Sequence, residues 1–298
     1  MNSSISLFNT SESQESFLQA YNLLMEKWTV PYEDKWIDTS FGKTHVVVSG
    51  PTDGEPLVLL PGAQATSGMW GPMIPILTKT RRVFCIDIID QVGLSQPKKV
   101  LKNTQDSNTW LEETLNGLGL NKVSIGGNSL GSFLASMFAI AHPERVKKVI
   151  LTAPAATVSG VRPFYIINVI FTSLVSSLSI KKRFIQKNAV DLVDENNKLF
   201  QVLLKAMVGS KIISKITPRP LTVDELCKLK SPTLLILGAK DITSNKAVDD
   251  IVEEISKLKV NFQFEILEDA GHLWTEQQYI FAGNKIEQFL DDTNCPQR

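Results

Sequence analysis

The chain has 298 residues, enough for one large α/β domain or two small ones, and its 43% hydrophobic content supplies a substantial core. Its 31 basic and 31 acidic residues cancel, and no basic stripe of the kind that tracks a phosphate backbone stands out, which argues against a nucleic-acid partner. The three cysteines, Cys85, Cys227 and Cys295, are too few and too scattered for a disulfide framework and have no Cys or His at metal-ligand spacing. Structural thiols in a reducing, cytoplasmic compartment are the expectation.

The chain opens on "MNSSISLFNTSESQES", which is polar and lacks the basic start and apolar core of a secretory signal. An amphipathic helix follows, with Phe17, Tyr21, Leu24 and Trp28 at helical spacing and a capping box read at Ser11 and Gln14. Because its polar face carries acids as well as Lys27, docking on the body of the protein is favoured over a membrane surface. "KWIDTSFGKTHVVVSG" reads as a hairpin turning near Phe41-Gly42-Lys43. Continuous apolar or β-rich runs at 56–60, 82–89, 122–127, 148–154, 232–238 and 262–267 suit central strands. Helical segments lie near 67–78, 106–117, 130–141 and 246–258, with a last one over about 275–290. Such alternation predicts a mostly parallel sheet with helices on both faces.

The alternation stops between Ala155 and Lys230, where helical apolar patches occur without a convincing strand. Pro163 to Ile180 carries no charge, but it holds Asn168, Thr172 and four serines and lies between soluble elements. It is therefore expected as helix covering an apolar pocket, and no transmembrane segment is expected. The resulting division is an N-terminal helical extension (1–35), an α/β core (36–154 and 231–298) and a helical cap (155–230).

Open α/β sheets bind ligands at the carboxyl ends of their strands, so the chemistry is sought there. Gly127-Asn128-Ser129-Leu130-Gly131 joins a strand to an apolar helix in the G-x-S-x-G pattern. A turn this sharp pushes the central side chain outward and leaves no room for bulk two positions away on either side. A serine hydroxyl needs a base, and the chain has three histidines. His45 lies within a hairpin strand and reads as structural, whereas His142, before Pro143, suits a helix C-terminus. His272 follows a strand in "EDAGHLW" and is the well-placed one. An acid must hold its imidazole in the right tautomer. Asp241, in "LLILGAKD" after another buried strand, is preferred to Asp269 and Glu268, which share the histidine's own loop and would have to bend back to reach the far ring nitrogen.

The order Ser129, Asp241, His272, together with "GNSLG", "HPERVKKVILTAPA", "LGAKD", "AGH" and "VFCIDIIDQVGLSQP", resembles the α/β-hydrolase superfamily, specifically its capped, carboxylesterase-like serine hydrolases, over about residues 40–290. The last run resembles the family's Asp-x-x-Gly-x-Gly-x-Ser pattern, here with Asp87, Gly93 and Ser95, but with Asp90 where glycine is usual and one residue more before Gly93 than the pattern has. The resemblance implies an oxyanion loop at Pro61-Gly62-Ala63-Gln64, with backbone N–H donors at Ala63 and Leu130. Members commonly have His-Gly where this chain has Pro61-Gly62, but the proline precedes the donor and removes no N–H that the role needs. The implied activity is cleavage of small-molecule carboxylic esters through an acyl-enzyme, with no cofactor or metal. Gln64, Phe164, Tyr165 and Trp274 are expected to contact substrate, and the apolar run from Phe164 to Phe171 to line the acyl pocket. Carbon–carbon bond hydrolases, cofactor-free haloperoxidases, acyltransferases and aminopeptidases share this fold and triad, and a slow-turnover receptor on the same scaffold is the rival from outside catalysis.

Overall fold

The computed structural model describes residues 5–175, 177–188, 196–258 and 260–292. The expected helix near the start is α1 (Ser11–Met25), with its cap one residue earlier than expected. Thr10 accepts from the Ser13 N–H, and the Ser13 hydroxyl accepts from the Thr10 N–H, so this pair replaces Ser11 and Gln14. The face bearing Phe17, Tyr21 and Leu24 is buried, which puts the helix on the body of the protein.

The hairpin forms as β1 (Tyr32–Thr39) and β2 (Gly42–Ser49), closed by Ser40 and Phe41 with Thr39 opposite Gly42. There follow β3 (Glu55–Leu60), a 3-10 segment (Ser67–Met73) running into the short α2 (Ile74–Leu77), β4 (Arg81–Ile86) and the two-residue β5 (Gln96–Pro97), which pairs with β2. After α3 (Thr104–Gly117) come β6 (Val123–Asn128), α4 (Leu130–Ala141) and β7 (Val146–Thr152). The interval without strands holds α5 (Ala155–Val158), α6 (Pro163–Leu174), α7 (Leu178–Asn188), α8 (Lys198–Gly209) and α9 (Val223–Lys228). β8 (Thr233–Gly238), α10 (Val248–Ser256), β9 (Phe262–Leu267) and α11 (Glu276–Asp291) complete the chain.

The strands form one sheet in the order β1-β2-β4-β3-β6-β7-β8-β9. β1, β2 and β4 pair antiparallel, and every later pair along this order is parallel. Period-two alternation sends Leu57, Leu59, Val83 and Ile150 to one face, where α1, α8 and α11 cover them. Val58, Leu60, Phe84 and Leu151 go to the other face, beneath α3, α4 and α10. Strands buried on both sides must read as unbroken apolar runs, which is why they stand out in the sequence.

No helix among the described residues is long and apolar enough to cross a membrane. The run from Pro163 breaks at Val175, whose backbone is extended. Cys85 is buried, and burial pushes its thiol well above the usual range; Cys227 is exposed, and Cys295 lies outside the described residues. No cluster of potential metal ligands occurs among the described residues.

Candidate active site

Three non-glycine residues among those described have positive φ: Gln64 after β3, Ser129 after β6 and Ala153 after β7. β3, β6 and β7 are neighbours in the sheet, so the strain collects at one carboxyl edge, where functional strain is usually stored.

At the centre of that edge Ser129 has φ +49° and ψ −109° and caps α4. Neither flanking glycine can be replaced without collision. A Cβ on Gly127 would run into the Gly131 and Ser132 backbone, and one on Gly131 into the Leu60 carbonyl. The Ser129 N–H donates to the Thr152 carbonyl at 3.0 Å. The Ser132 hydroxyl donates to the Gly127 carbonyl at 2.7 Å and to that of Thr152 at 3.0 Å, tying the turn to β7. The Ser129 side chain itself is half-buried at the open end of the turn.

His272 arrives from the loop between β9 and α11 with Nε2 2.9 Å from Ser129 Oγ. Its Nδ1 lies 2.8 Å from Asp241 Oδ2, in the loop after β8. The other carboxylate oxygen, Oδ1, accepts from both the N–H (2.8 Å) and the hydroxyl (2.6 Å) of Thr243. Asp241 is thus held at both oxygens. An ionised carboxylate can only accept, so the proton sits on His272 Nδ1 and leaves Nε2 to accept from Ser129. Burial, the largest influence, pushes the His272 imidazole down, but the charge and hydrogen bond of Asp241 outweigh it and its pKa is raised. Burial likewise pushes Asp241 up, yet His272 and Thr243 prevail and its pKa is lowered. Asp241 therefore stabilises the positive charge that His272 gains when its Nε2 takes up a proton.

The rival acid is turned away. Asp269 has 76% of its side chain exposed and pairs with Lys240 at 2.6 Å. His45, expected to be structural, is fully buried between Asp87 (Nδ1 to Oδ2, 2.8 Å) and Asp34 (Nε2 to Oδ1, 2.8 Å). Asp87 also accepts from the Ser67 and Leu94 N–H groups, and Ser95 donates to the Asp87 carbonyl, so the Asp87–Ser95 motif braces the loops behind the site. His142 is the C-cap of α4, stacked on Phe138.

The loop after β3 passes beside the serine: a Cβ on Gly62 would lie 2.9 Å from Asn128 Oδ1 and 3.6 Å from Ser129 Cβ. Ala63 is exposed there, while Leu130 opens α4. Gln64 Oε1 accepts from Ser210, at the end of α8, at 2.8 Å. It ties the loop to the helical insertion.

Two expectations about the pocket wall need correction. Trp274 is buried in the core against Tyr279, with its indole N–H donating to the Gly271 carbonyl at 3.2 Å. The chain turns after His272, so the half-buried neighbour is Leu273, whose N–H donates to the Asn188 carbonyl. In α6, Ile166, Ile167 and Ile170 face outward, and Phe164 and Phe171, each more than half exposed, stand at the rim of a cavity that does not reach Ser129. Backbone pairing just before the helix sets its rotation: Val161 bridges Ser244, and the Arg162 N–H donates to the Thr243 carbonyl. Tyr165 is then the inward aromatic. Burial first, and the nearby Asp241 charge second, raise its phenol pKa. Tyr165, Phe171, Phe184, Asn188 and Ile242 help to line a cavity of about 360 Å³ between α6 and α7, whose lining includes Phe164 but neither Ser129 nor His272.

Thr243 was missed by sequence reasoning, although "Asp-Ile-Thr" carries a signal. An Asp that accepts from the N–H two residues on forms an Asx turn.

A family model described as the alpha/beta hydrolase fold matches residues 55–175. The crystal structure of carboxylesterase CesB (YbfK) from Bacillus subtilis superimposes with a TM-score of 0.86 at 26% identity, covering 94% of this chain and 99% of that one. The protein has the α/β-hydrolase fold and resembles carboxylesterases. In sequence, carboxylesterase YbfK of B. subtilis strain 168 is 29% identical over 291 residues, covering 95% of this hydrolase and 96% of the relative. Naproxen esterase (carboxylesterase NP) of B. subtilis has a TM-score of 0.86 at 25% identity, over 95% of this chain and all of that one.

Proposed function

We propose that the hydrolase cleaves carboxylic esters of small molecules through Ser129, His272 and Asp241. The observation that carries this reading is the continuous chain from Ser129 Oγ to His272 Nε2 (2.9 Å) and from Nδ1 to Asp241 Oδ2 (2.8 Å), at the strained edge of the sheet. The comparisons with carboxylesterases support an ester as the substrate.

In the first half-reaction Oγ attacks the ester carbonyl while its proton passes to Nε2. The imidazolium so formed is stabilised by Asp241, and it returns the proton to the leaving alkoxide as the C–O bond breaks. An acyl group remains on Oγ. Water then gives a proton to the same Nε2 and attacks the acyl carbon; the proton returns to Oγ, and the carboxylic acid departs. Each tetrahedral intermediate carries a negative oxygen. The Ala63 and Leu130 N–H groups are its proposed donors, since the loop of Gly62 lies beside Ser129 and the start of α4 presents the positive end of the helix dipole. Residues 155–230 serve in this reading as a cap over the site.

The test is turnover of p-nitrophenyl esters and labelling by a fluorophosphonate. Wild type is expected to turn over steadily and to be labelled at Ser129 alone, and Ser129→Ala to lose both properties while keeping its melting temperature. An active alanine variant, or labelling elsewhere, refutes the mechanism. A single acylation that then stalls refutes steady hydrolysis and leaves a receptor.

A further inference from the structure

α6 carries most of its large apolar side chains on its outward face. Thr172 is 4% exposed, with its hydroxyl donating to the Asn168 and Val169 carbonyls, and Asn168 is half-buried. Phe164 (71% exposed), Ile167 (60%), Ile170, Phe171 and Leu174 (80%) recur at spacings of three and four on the outward face, and Leu178 of α7 continues the stripe. A helix that only covered a core would have the opposite arrangement. Apolar patches of this extent mark sites that meet another apolar phase.

Charge says which phase. Residues 155–188 contain Arg162, Lys181, Lys182, Arg183 and Lys187 and not one acid, in a chain whose overall charge is zero. Lys181 is buried with its ammonium on the Met207 carbonyl, whereas Arg162, Arg183 and Lys187 flank the apolar face as part of the α6–α7 cavity rim. A second copy docked two-fold on this face would bring cations against cations, with no acid from this segment to answer them. An anionic leaflet answers both features at once: headgroups meet the basic side chains, and the acyl boundary receives the Ile and Phe side chains.

We propose that the α6–α7 hairpin docks the protein peripherally on an anionic lipid bilayer. Ile242, adjacent to Asp241, is exposed and shares the cavity wall with Phe164 and Phe171, so docking brings the active-site edge close to the lipid surface.

The test is co-sedimentation of the full chain with sucrose-loaded vesicles of ether-linked lipids, which contain no carboxylic ester, so binding is read apart from turnover. Wild type is expected to pellet with equimolar phosphatidylglycerol–phosphatidylcholine vesicles and more weakly with phosphatidylcholine alone. Arg183→Gln with Lys187→Gln should weaken partitioning about thirtyfold on the anionic vesicles, about fivefold per charge, and leave the neutral ones unchanged. Ile167→Ser, Ile170→Ser and Phe171→Ser combined should weaken both by tenfold or more, roughly. Leu174→Ser, at the most exposed position, provides the same test should the triple variant fail to fold. Wild type remaining in the supernatant with anionic vesicles overturns the proposal, as does unchanged pelleting of the serine variants. So does a wild-type dimer that the serine substitutions convert to monomer and vesicles do not compete for, an outcome that assigns the face to a second copy.

Discussion

Asp241→Asn exchanges one atom and is expected to lower kcat by about 10⁴, equivalent to about 5.5 kcal/mol of transition-state stabilisation. The structure shows why so small a change would act so strongly. Thr243 presents two donors to Oδ1, so the asparagine carbonyl oxygen must remain there to accept them. The new amide then points its N–H at His272 Nδ1, where Oδ2 had accepted at 2.8 Å. Nδ1 becomes the acceptor and the ring proton moves to Nε2, facing Ser129 Oγ at 2.9 Å, where a base can no longer take a proton. Packing and volume are unchanged, so the melting temperature should move little. Activity should partly return at alkaline pH only if the ring reorients. The assay is kcat for p-nitrophenyl butyrate, with Asp269→Asn as the control, because Asp269 is exposed and paired with Lys240. Asp241→Asn within tenfold of wild type, or a larger loss in Asp269→Asn, refutes the tautomer argument.

The acid limb of kcat/KM should lie above pH 6.5, the ordinary imidazole value, because Asp241 raises the pKa of His272 and the neutral ring is the active form; a midpoint at or below that value would count against the pairing. His45→Gln should destabilise the fold by about 3–5 kcal/mol by stranding the buried Asp87 carboxylate, as read in denaturant titrations. Because the folded His45 pKa is raised, by Asp87 and Asp34 against burial, its stabilisation is full below the unfolded value of about 6.5 and lost as pH rises through the folded one. That dependence should be absent from the variant. Gly127→Ala should cost about 3 kcal/mol by forcing a Cβ into the Gly131 backbone, measurable as a lowered melting temperature. Tyr165→Ala, on the inward face of α6, should raise KM for longer acyl chains more than for acetate, whereas Ile167→Ser, on the outward face, should leave the chain-length profile unchanged.

Much of the fold was legible because the central strands are buried on both faces and the α4 elbow leaves glycine no substitute. "PLVLL", "KVSIGG" and "PTLLILG" sit within one or two residues of β3, β6 and β8. Ser129 and His272 were recoverable from their places after strands, and Asp241 by weighing which acid had room to reach the imidazole. Helix rotation and side-chain direction in loops were not legible. Phe164 and Tyr165 are adjacent aromatic letters, yet the first is mostly exposed and the second is turned toward the Asp241 loop. Trp274 and Leu273 present the same difficulty.

The sequence by itself determined what local sterics and period-two burial impose: the parallel sheet, the glycine-flanked turn that strains Ser129, and strand ends carrying an acid and a histidine. Only the tertiary structure decided which groups meet. The register of β6, β7, β8 and β9 brings residues 129, 241 and 272 to one edge. The Val161–Ser244 bridge sets the rotation of α6 and turns its apolar stripe outward, and Ser210, after α8, donates to Gln64 Oε1. These are contacts between residues tens or hundreds of positions apart, and periodicity along the chain carries no information about them.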